Sequence, residues 1–223
     1  MTVTPSVHPL RFFRIVTTQP SLIIWTCALV LMVGAAAIAR DPSRSTGAMV
    51  PVLLLQLFAA SSGFEVPARR GHYDLLLTSG HRRVWMALGH WITSIAPGVI
   101  AWLALAAVES AVSGGTGRAL LASGTIAAMS LVSTLPWAIT VRLPRYSGGI
   151  GWLLASAIST SVWPSMQTWS AWRILIDPAA LVGHDLGVNE AFLAAPALIL
   201  AAGSMAAACR WVSRASVPLE AAQ

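Results

Sequence analysis

The residues that could do chemistry in this chain are concentrated in one polar segment, residues 65–91, which lies between two long apolar stretches. Within it, two arginines, a histidine, a tyrosine and an aspartate come directly before three consecutive leucines. The candidate site consists of Arg69, Arg70, Gly71, His72, Tyr73, Asp74, Leu75, Leu76 and Leu77. Cations beside an apolar face suit protein–protein recognition, because charge steers association and apolar contacts supply affinity. The chemistry that this segment allows is therefore binding, either to a membrane surface or to a partner protein.

The same segment predicts a short amphipathic helix over residues 66–79. Pro67 can begin a helix, and Gly80 can end one. Between them Tyr73, Leu76 and Leu77 recur at helical spacing, which places them on one face. That apolar face could lie on a membrane surface or fill a groove in a partner protein.

Catalytic and metal-binding patterns are few. The chain contains no lysine, so it lacks the P-loop residue that reaches the β- and γ-phosphates, and no HExxH or Cys/His cluster indicates a metal site. Serines next to glycine occur at Ser62 and Ser79 and leave an intramembrane hydrolase as an alternative. A serine nucleophile needs a base within hydrogen-bond reach, and the histidines fall in predicted loops or near span starts. We expect no catalytic residue and no cofactor in this chain.

The elements that must position the polar segment follow from the spacing of the charges. Six stretches without a charged residue, 19 to 27 residues long, separate the 14 arginines and 8 acids. A helix rises about 1.5 Å per residue and needs about 20 apolar residues to cross ~30 Å of hydrocarbon. In lipid the backbone must satisfy its own hydrogen bonds, so such stretches become helices. The predicted spans are residues 21–39, 48–64, 84–108, 119–141, 147–164 and 191–209. We therefore predict an all-α membrane protein with six transmembrane helices in a single domain, 1–223.

The distribution of arginines predicts the orientation. With the N-terminus in the cytoplasm, ten arginines fall on the inner side and four on the outer side. This bias follows the positive-inside rule, so both termini and the 65–83 loop are predicted to be cytoplasmic. The net charge of +6 would suggest nucleic acid in a soluble protein, but the membrane accounts for it here. We expect a multi-pass protein of the cell (inner, cytoplasmic) membrane that contacts the lipid bilayer and no nucleic acid.

Tryptophans and one further segment complete the predicted membrane topology. Six tryptophans lie near predicted span ends, as an aromatic belt at the membrane surface requires: Trp25, Trp85, Trp137, Trp152, Trp163 and Trp211. Residues 164–189 are too polar to span and too apolar for a solvated loop. They predict an outside amphipathic segment that rests on the membrane or folds over the helices.

The 65–91 segment resembles the second inside loop of the permease subunits of ABC-2 type transporters. In that family an acid-rich lead, a Gly-Thr pair, an acid, leucines and a small-Pro turn come before Ser-Arg and a helix with a Gly-Lys pair. Here Gly71, Asp74, the three leucines, Arg83 and Gly89 match that pattern. The departures are Arg69 and Arg70 in the lead, His72 for threonine, Gly80 for proline and His90 for lysine.

The resemblance implies that the 66–79 helix is a coupling helix, which docks on a separate ABC ATPase subunit that holds ATP and Mg. It also implies a second permease subunit, identical or not, and a re-entrant character for residues 164–189. The expected function is export of a small amphipathic cargo such as a drug, antibiotic, peptide or lipid. A non-transporting scaffold protein is the main alternative, because a docking helix alone does not make a conduit.

Overall fold

Helices dominate the chain in the computed structural model, which describes residues 20–61, 83–114, 119–140, 147–162 and 177–214. These residues form six α-helices, namely α1 Pro20–Arg40, α2 Ser45–Ala60, α3 Arg83–Val112, α4 Ser123–Thr140, α5 Ser147–Val162 and α6 Val188–Arg214. Three short 3-10 turns join them, namely η1 Pro42–Arg44, η2 Ala119–Leu121 and η3 Pro178–Leu181. The described residues contain no strand, so the prediction of an all-α fold is confirmed for them.

Each predicted span overlaps one of these α-helices, but the helix ends differ from the predicted ends. The clearest difference is at α3, which was expected to end before the charged Glu109 and instead continues to Val112. Glu109 is buried in the helix, and its Oε2 accepts a hydrogen bond from the Leu120 backbone N–H at 3.0 Å. A carboxylate that is hydrogen-bonded inside the protein does not have to end the helix.

The turn between α1 and α2 is compact because Asp41 organises it. The Asp41 Oδ1 atom accepts hydrogen bonds from the Ser43 backbone N–H at 3.0 Å and from the Ser43 hydroxyl at 2.7 Å. Arg44 Nε lies 3.4 Å from Oδ2 of the same carboxylate, and Pro42 begins the η1 turn. The Ser43 hydroxyl and N–H, followed by the nearby Arg44, lower the pKa of Asp41, so this residue stays ionised near neutral pH.

The helices pack around α2 and α4. Helix α2 contacts α1, α3 and α4, while α4 also contacts α5, α6 and η3. The largest cluster of buried apolar side chains lies among these helices and includes Met49, Val52, Leu105, Leu131 and Leu181. Helix α2 therefore has little free surface, whereas α1, α5 and α6 lie at the periphery.

The outer surface of the packed helices is strongly apolar. Two helices of the described residues are long and apolar enough to cross a membrane, at Leu22–Arg40 and Val84–Val112. Only 11% of the first span is buried in the protein, although the core helix of a soluble protein is mostly buried. Trp25 and Trp85 are 73% and 66% exposed, in keeping with a position in an aromatic belt. Exposed apolar surface of this extent favours association with a membrane.

Candidate functional site

The nine predicted coupling residues all lie outside the described residues. They belong to the segment that connects α2 to α3, residues 62–82, and so does the predicted 66–79 helix. We name this connecting segment the 62–82 loop. The structure describes the two ends to which this loop is attached, which are Ser61 after α2 and the first turns of α3. The candidate functional regions are the contacts near these ends, the buried Gln56 amide, the polar contacts at the other end of the helices and an apolar groove.

A hydrogen bond between buried side chains lies close to the start of α3. The Trp137 Nε1–H of α4 donates to His90 Nδ1 at 3.0 Å, and both side chains are buried. The acceptor nitrogen of His90 carries no proton in this arrangement, since the indole can only donate. The sequence placed Trp137 in the aromatic belt, and that prediction is wrong because Trp137 is fully enclosed. Its polar partner is 47 residues away in the sequence.

A second hydrogen bond reinforces the same contact. The Trp91 Nε1–H of α3 donates to the Ser133 carbonyl of α4 at 3.1 Å. Residues 133 and 137 are one helical turn apart, and residues 90 and 91 are adjacent, so the two bonds lie side by side. Ala60 of α2 and Ala208 of α6 complete the small apolar cluster around Trp137. We name the two bonded pairs, His90–Trp137 and Trp91–Ser133, the α3–α4 clamp.

The centre of the helical assembly contains a buried amide that the sequence analysis missed. The Gln56 side chain of α2 is completely buried, and neither its nitrogen nor its oxygen has a hydrogen-bond partner among the described residues. It packs against Gly98 so closely that a Cβ at that glycine would overlap the amide. Gly98 follows Pro97, whose carbonyl accepts a hydrogen bond from the Cys27 thiol at 3.5 Å. A single glutamine in an apolar stretch and a Pro-Gly pair were the available sequence signals.

At the opposite end of the helices, polar contacts hold the loops in place. Glu109 Oε2 accepts from the Leu120 N–H, and the Trp102 indole N–H donates to the Leu120 carbonyl at 2.6 Å. Both backbone polar groups of Leu120, its N–H and its carbonyl, are thus bound by side chains of α3. Residues 102 and 109 are two helical turns apart on the same face.

The segment that follows η3 is attached to the start of α4, and we name residues 182–187 the η3–α6 strap. The Leu186 N–H donates to Ser123 Oγ at 2.8 Å, and the Gly183 N–H donates to Thr125 Oγ1 at 3.0 Å. The Gly124 N–H donates to the His184 carbonyl at 3.0 Å. Gly183 has a φ of 82°, and a Cβ there would collide with the Thr46 side chain. The described part of the predicted 164–189 segment therefore folds over the helices, while residues 163–176 lie outside the described residues.

A groove runs between α2 and α5 on the surface of α4. It has a volume of about 90 Å³ and an almost entirely apolar wall. Asp177, at the start of η3, is the charged residue that lines it. No three His, Cys, Asp or Glu side chains come together as metal ligands in the part of the chain that the structure describes. The described arrangement therefore offers an apolar binding surface with one carboxylate.

Comparisons with known proteins do not assign the chain to a family. No family model, no curated protein and no solved structure matches it. What the chain does has to be argued from its own residues.

Proposed function

We propose that this chain is the membrane-spanning permease subunit of an ATP-driven ABC-2 type exporter. The observation that carries the proposal is the place of the 62–82 loop, whose motif resembles an ABC-2 coupling segment, between the second and third of six α-helices in the described residues. We further propose that all six helices span the inner membrane and that both termini are cytoplasmic. The exposed apolar side chains of α1, α3, α5 and α6 support this arrangement.

The proposed partner of the 62–82 loop is a separate ABC ATPase, which holds ATP and Mg. Leu76 and Leu77 supply the apolar contact, and Arg69 and Arg70 favour an acidic groove on that partner. A second permease subunit, a copy of this chain or a related one, completes the transporter. The cargo is a small amphipathic molecule, because the described helices carry an apolar groove with a single carboxylate.

The contacts of α3 suggest how movement of the loop reaches the helices. Helix α3 begins where the loop ends, and the α3–α4 clamp lies within its first three turns. A displacement of α3 would therefore reach α4 through these two hydrogen bonds, and it would reach α1 and α2 through the more extensive packing of α3 on those helices. Such a displacement can drive transport only if the ATP-bound and the ATP-free ATPase bind the displaced and the undisplaced helices with different affinity.

The alternatives from the sequence have less support. A scaffold protein would use only the 62–82 loop, to bind its partner, so this alternative leaves the groove without a role. An intramembrane hydrolase needs a histidine that can activate a serine. Of the two histidines in the described residues, His90 accepts a hydrogen bond from the Trp137 indole at Nδ1, and His184 Nδ1 lies 3.2 Å from the Val182 carbonyl oxygen. The permease accounts for the loop and the groove together.

The test is a pull-down of the tagged full chain from its native host in mild detergent, followed by an ATPase assay. We expect a P-loop ATPase to be recovered in stoichiometric amounts. Leu76→Asp combined with Leu77→Asp should reduce this recovery by more than about tenfold, since burying unpaired charges at an interface costs at least ~1.4 kcal/mol.

The matched control is Thr78→Asp combined with Ser79→Asp, which adds the same charge outside the apolar face and should retain the ATPase. Both double variants should be found in the membrane fraction in equal amounts. Recovery of the chain alone, with no nucleotide hydrolysis, would contradict the proposal and favour the scaffold or the hydrolase.

A further inference from the structure

The α2–α5 groove exists because its two walls barely touch each other. Helices α2 and α5 both pack on α4, and η3 covers one end of the space between them. The side chains that form the walls and floor are Leu53, Leu54, Leu57, Val132, Trp152 and Leu153. An enclosed apolar cavity of roughly 150 Å³ takes up one small hydrocarbon molecule. This groove has a volume of about 90 Å³, so it can enclose only part of an alkyl chain, and the rest of the chain has to lie along its open side.

The groove is open along one side. Val50 and Leu54 on α2 and Leu153 on α5 are exposed although they line it. Between residues 50 and 57 it extends about 10 Å along α2, at ~1.5 Å per residue. In a membrane this side faces hydrocarbon, so an apolar chain can enter laterally without crossing water.

Asp177 gives the groove one negatively charged group. Asp177 is partly buried, its side chain makes no capping hydrogen bond to η3, and it forms no ion pair within the described ranges. At the same end of the helices, Arg44 is already bound to Asp41. A carboxylate beside an apolar wall attracts a cation and repels an anion, and the low dielectric constant of the wall strengthens both effects.

The position of Asp177 is fixed by the contacts that follow it. Leu181 of η3 is fully buried, and the η3–α6 strap is bonded to Ser123, Gly124 and Thr125 of α4. The backbone of Asp177 is held at the groove as well, since its carbonyl accepts a hydrogen bond from the Ala180 N–H at 3.2 Å. A fixed backbone reduces the entropy lost when the side chain binds a ligand.

We propose that the α2–α5 groove binds a cationic amphiphile, with the hydrocarbon part between α2 and α5 and the cation against the Asp177 carboxylate. This inference rests on the proposed function, because it identifies the bound amphiphile as the class of cargo. The sequence alone predicted neither this binding site nor the positive charge of its ligand.

The test measures binding of radiolabelled decyltrimethylammonium, and of decyl sulfate as its anionic counterpart, to the full chain in lipid nanodiscs, with empty nanodiscs subtracted. We expect the cation to bind more tightly than the anion. Asp177→Asn should weaken cation binding about fivefold and leave anion binding unchanged or stronger, as expected for a partly screened ion pair. The matched control is Asp185→Asn, which removes the same charge from the same segment away from the groove.

A second pair of variants tests the groove itself. Leu54→Trp places a bulky ring in it and should abolish saturable binding of the cation. Leu103→Trp adds the same ring at an exposed position of α3 and should have no effect. Because both positions are exposed, both variants are expected to fold. Asp177→Asn provides an independent test, since it leaves the volume of the groove nearly unchanged.

Several results would overturn the inference. These are equal affinity for both amphiphiles, equal effects of Asp177→Asn and Asp185→Asn, and cation binding that survives Leu54→Trp. A change of oligomeric state with Leu54→Trp and no change in cation binding would show that a second copy covers the groove, and would also overturn it. The ATPase partner is absent from this assay, so failure of the groove and failure of the proposed transporter are distinguishable.

Discussion

Gln56 and Gly98 form a close contact between α2 and α3. The Gln56 amide is buried without a partner among the described residues, and an unsatisfied buried polar group costs roughly 1–3 kcal/mol. It is accommodated because Gly98 has no side chain, so the two helices approach each other at this point. A polar group in such a position lowers the stability of the packing between α2 and α3.

Replacement of Gly98 tests this contact. Gly98→Ala should destabilise the chain by about 1–3 kcal/mol because the new Cβ overlaps the Gln56 side chain. In a Gln56→Ala background the same change should cost less but still cost something, because the amide is gone while the Cβ at position 56 stays 2.9 Å from the new Cβ. A double-mutant cycle of thermal unfolding in detergent would measure the difference. Gly203→Ala is the matched control, since nothing lies within 4 Å of a Cβ there, and it should be neutral or slightly stabilising. Equal costs of Gly98→Ala in both backgrounds would contradict the contact.

At the scale of the elements, the η3–α6 strap connects the groove to α4. Its backbone N–H groups are bonded to side-chain oxygens of Ser123 and Thr125, so the attachment depends on two hydroxyls. Thr125 also donates to the Ala119 carbonyl at 2.9 Å, which joins η2 to the same network. The start of α4, the η2 turn and the strap before α6 are therefore held together by a small number of hydrogen bonds.

Removal of the two hydroxyls should loosen this strap. Ser123→Ala and Thr125→Val should each lower the free energy of unfolding by about 1 kcal/mol, because each leaves a strap N–H without its acceptor. Limited proteolysis followed by mass spectrometry should show faster cleavage within residues 182–187. Ser130→Ala on the same helix removes a hydroxyl that bonds only within α4, to the Ile126 carbonyl, and should leave the cleavage rate unchanged. Unaltered cleavage in the first two variants would show that the strap is held by other contacts.

The positions of the helices could be predicted from the sequence, because an uncharged run of about 20 residues leaves few alternatives to a helix. Helix ends were less predictable: Glu109 is inside α3 because its carboxylate has a bonded N–H partner, which charge spacing does not reveal. Trp137 was misplaced for a similar reason, since its partner His90 lies on another helix. The groove depends on three helices and η3, so no local pattern could have predicted it.

The whole molecule raises the question of which helices cross the membrane. Helix α1 and helix α3 are long and apolar enough, whereas α2 has 16 residues and a length of only about 24 Å. Much of α2 is also enclosed by α1, α3 and α4, which shields its polar Gln56 from lipid. A short helix at the centre of an assembly can still span if the surrounding helices provide the contact with lipid. The six-span topology is wrong if α2 does not cross.

Site-directed labelling across α2 tests the topology directly. The two natural cysteines are first replaced, as Cys27→Ser and Cys209→Ala, and single cysteines are then introduced as Ser43→Cys before α2 and Ser79→Cys after it. A membrane-impermeant maleimide added to intact spheroplasts should label the cysteine at 43 and leave the one at 79 unlabelled. Permeabilised cells serve as the control, in which both should react.

Because α2 is the only helix of the described residues between these positions, labelling of both in intact cells would mean that α2 does not cross. The 62–82 loop would then face away from the cytoplasm, where no ATPase could bind it, and both the topology and the proposed coupling would be wrong.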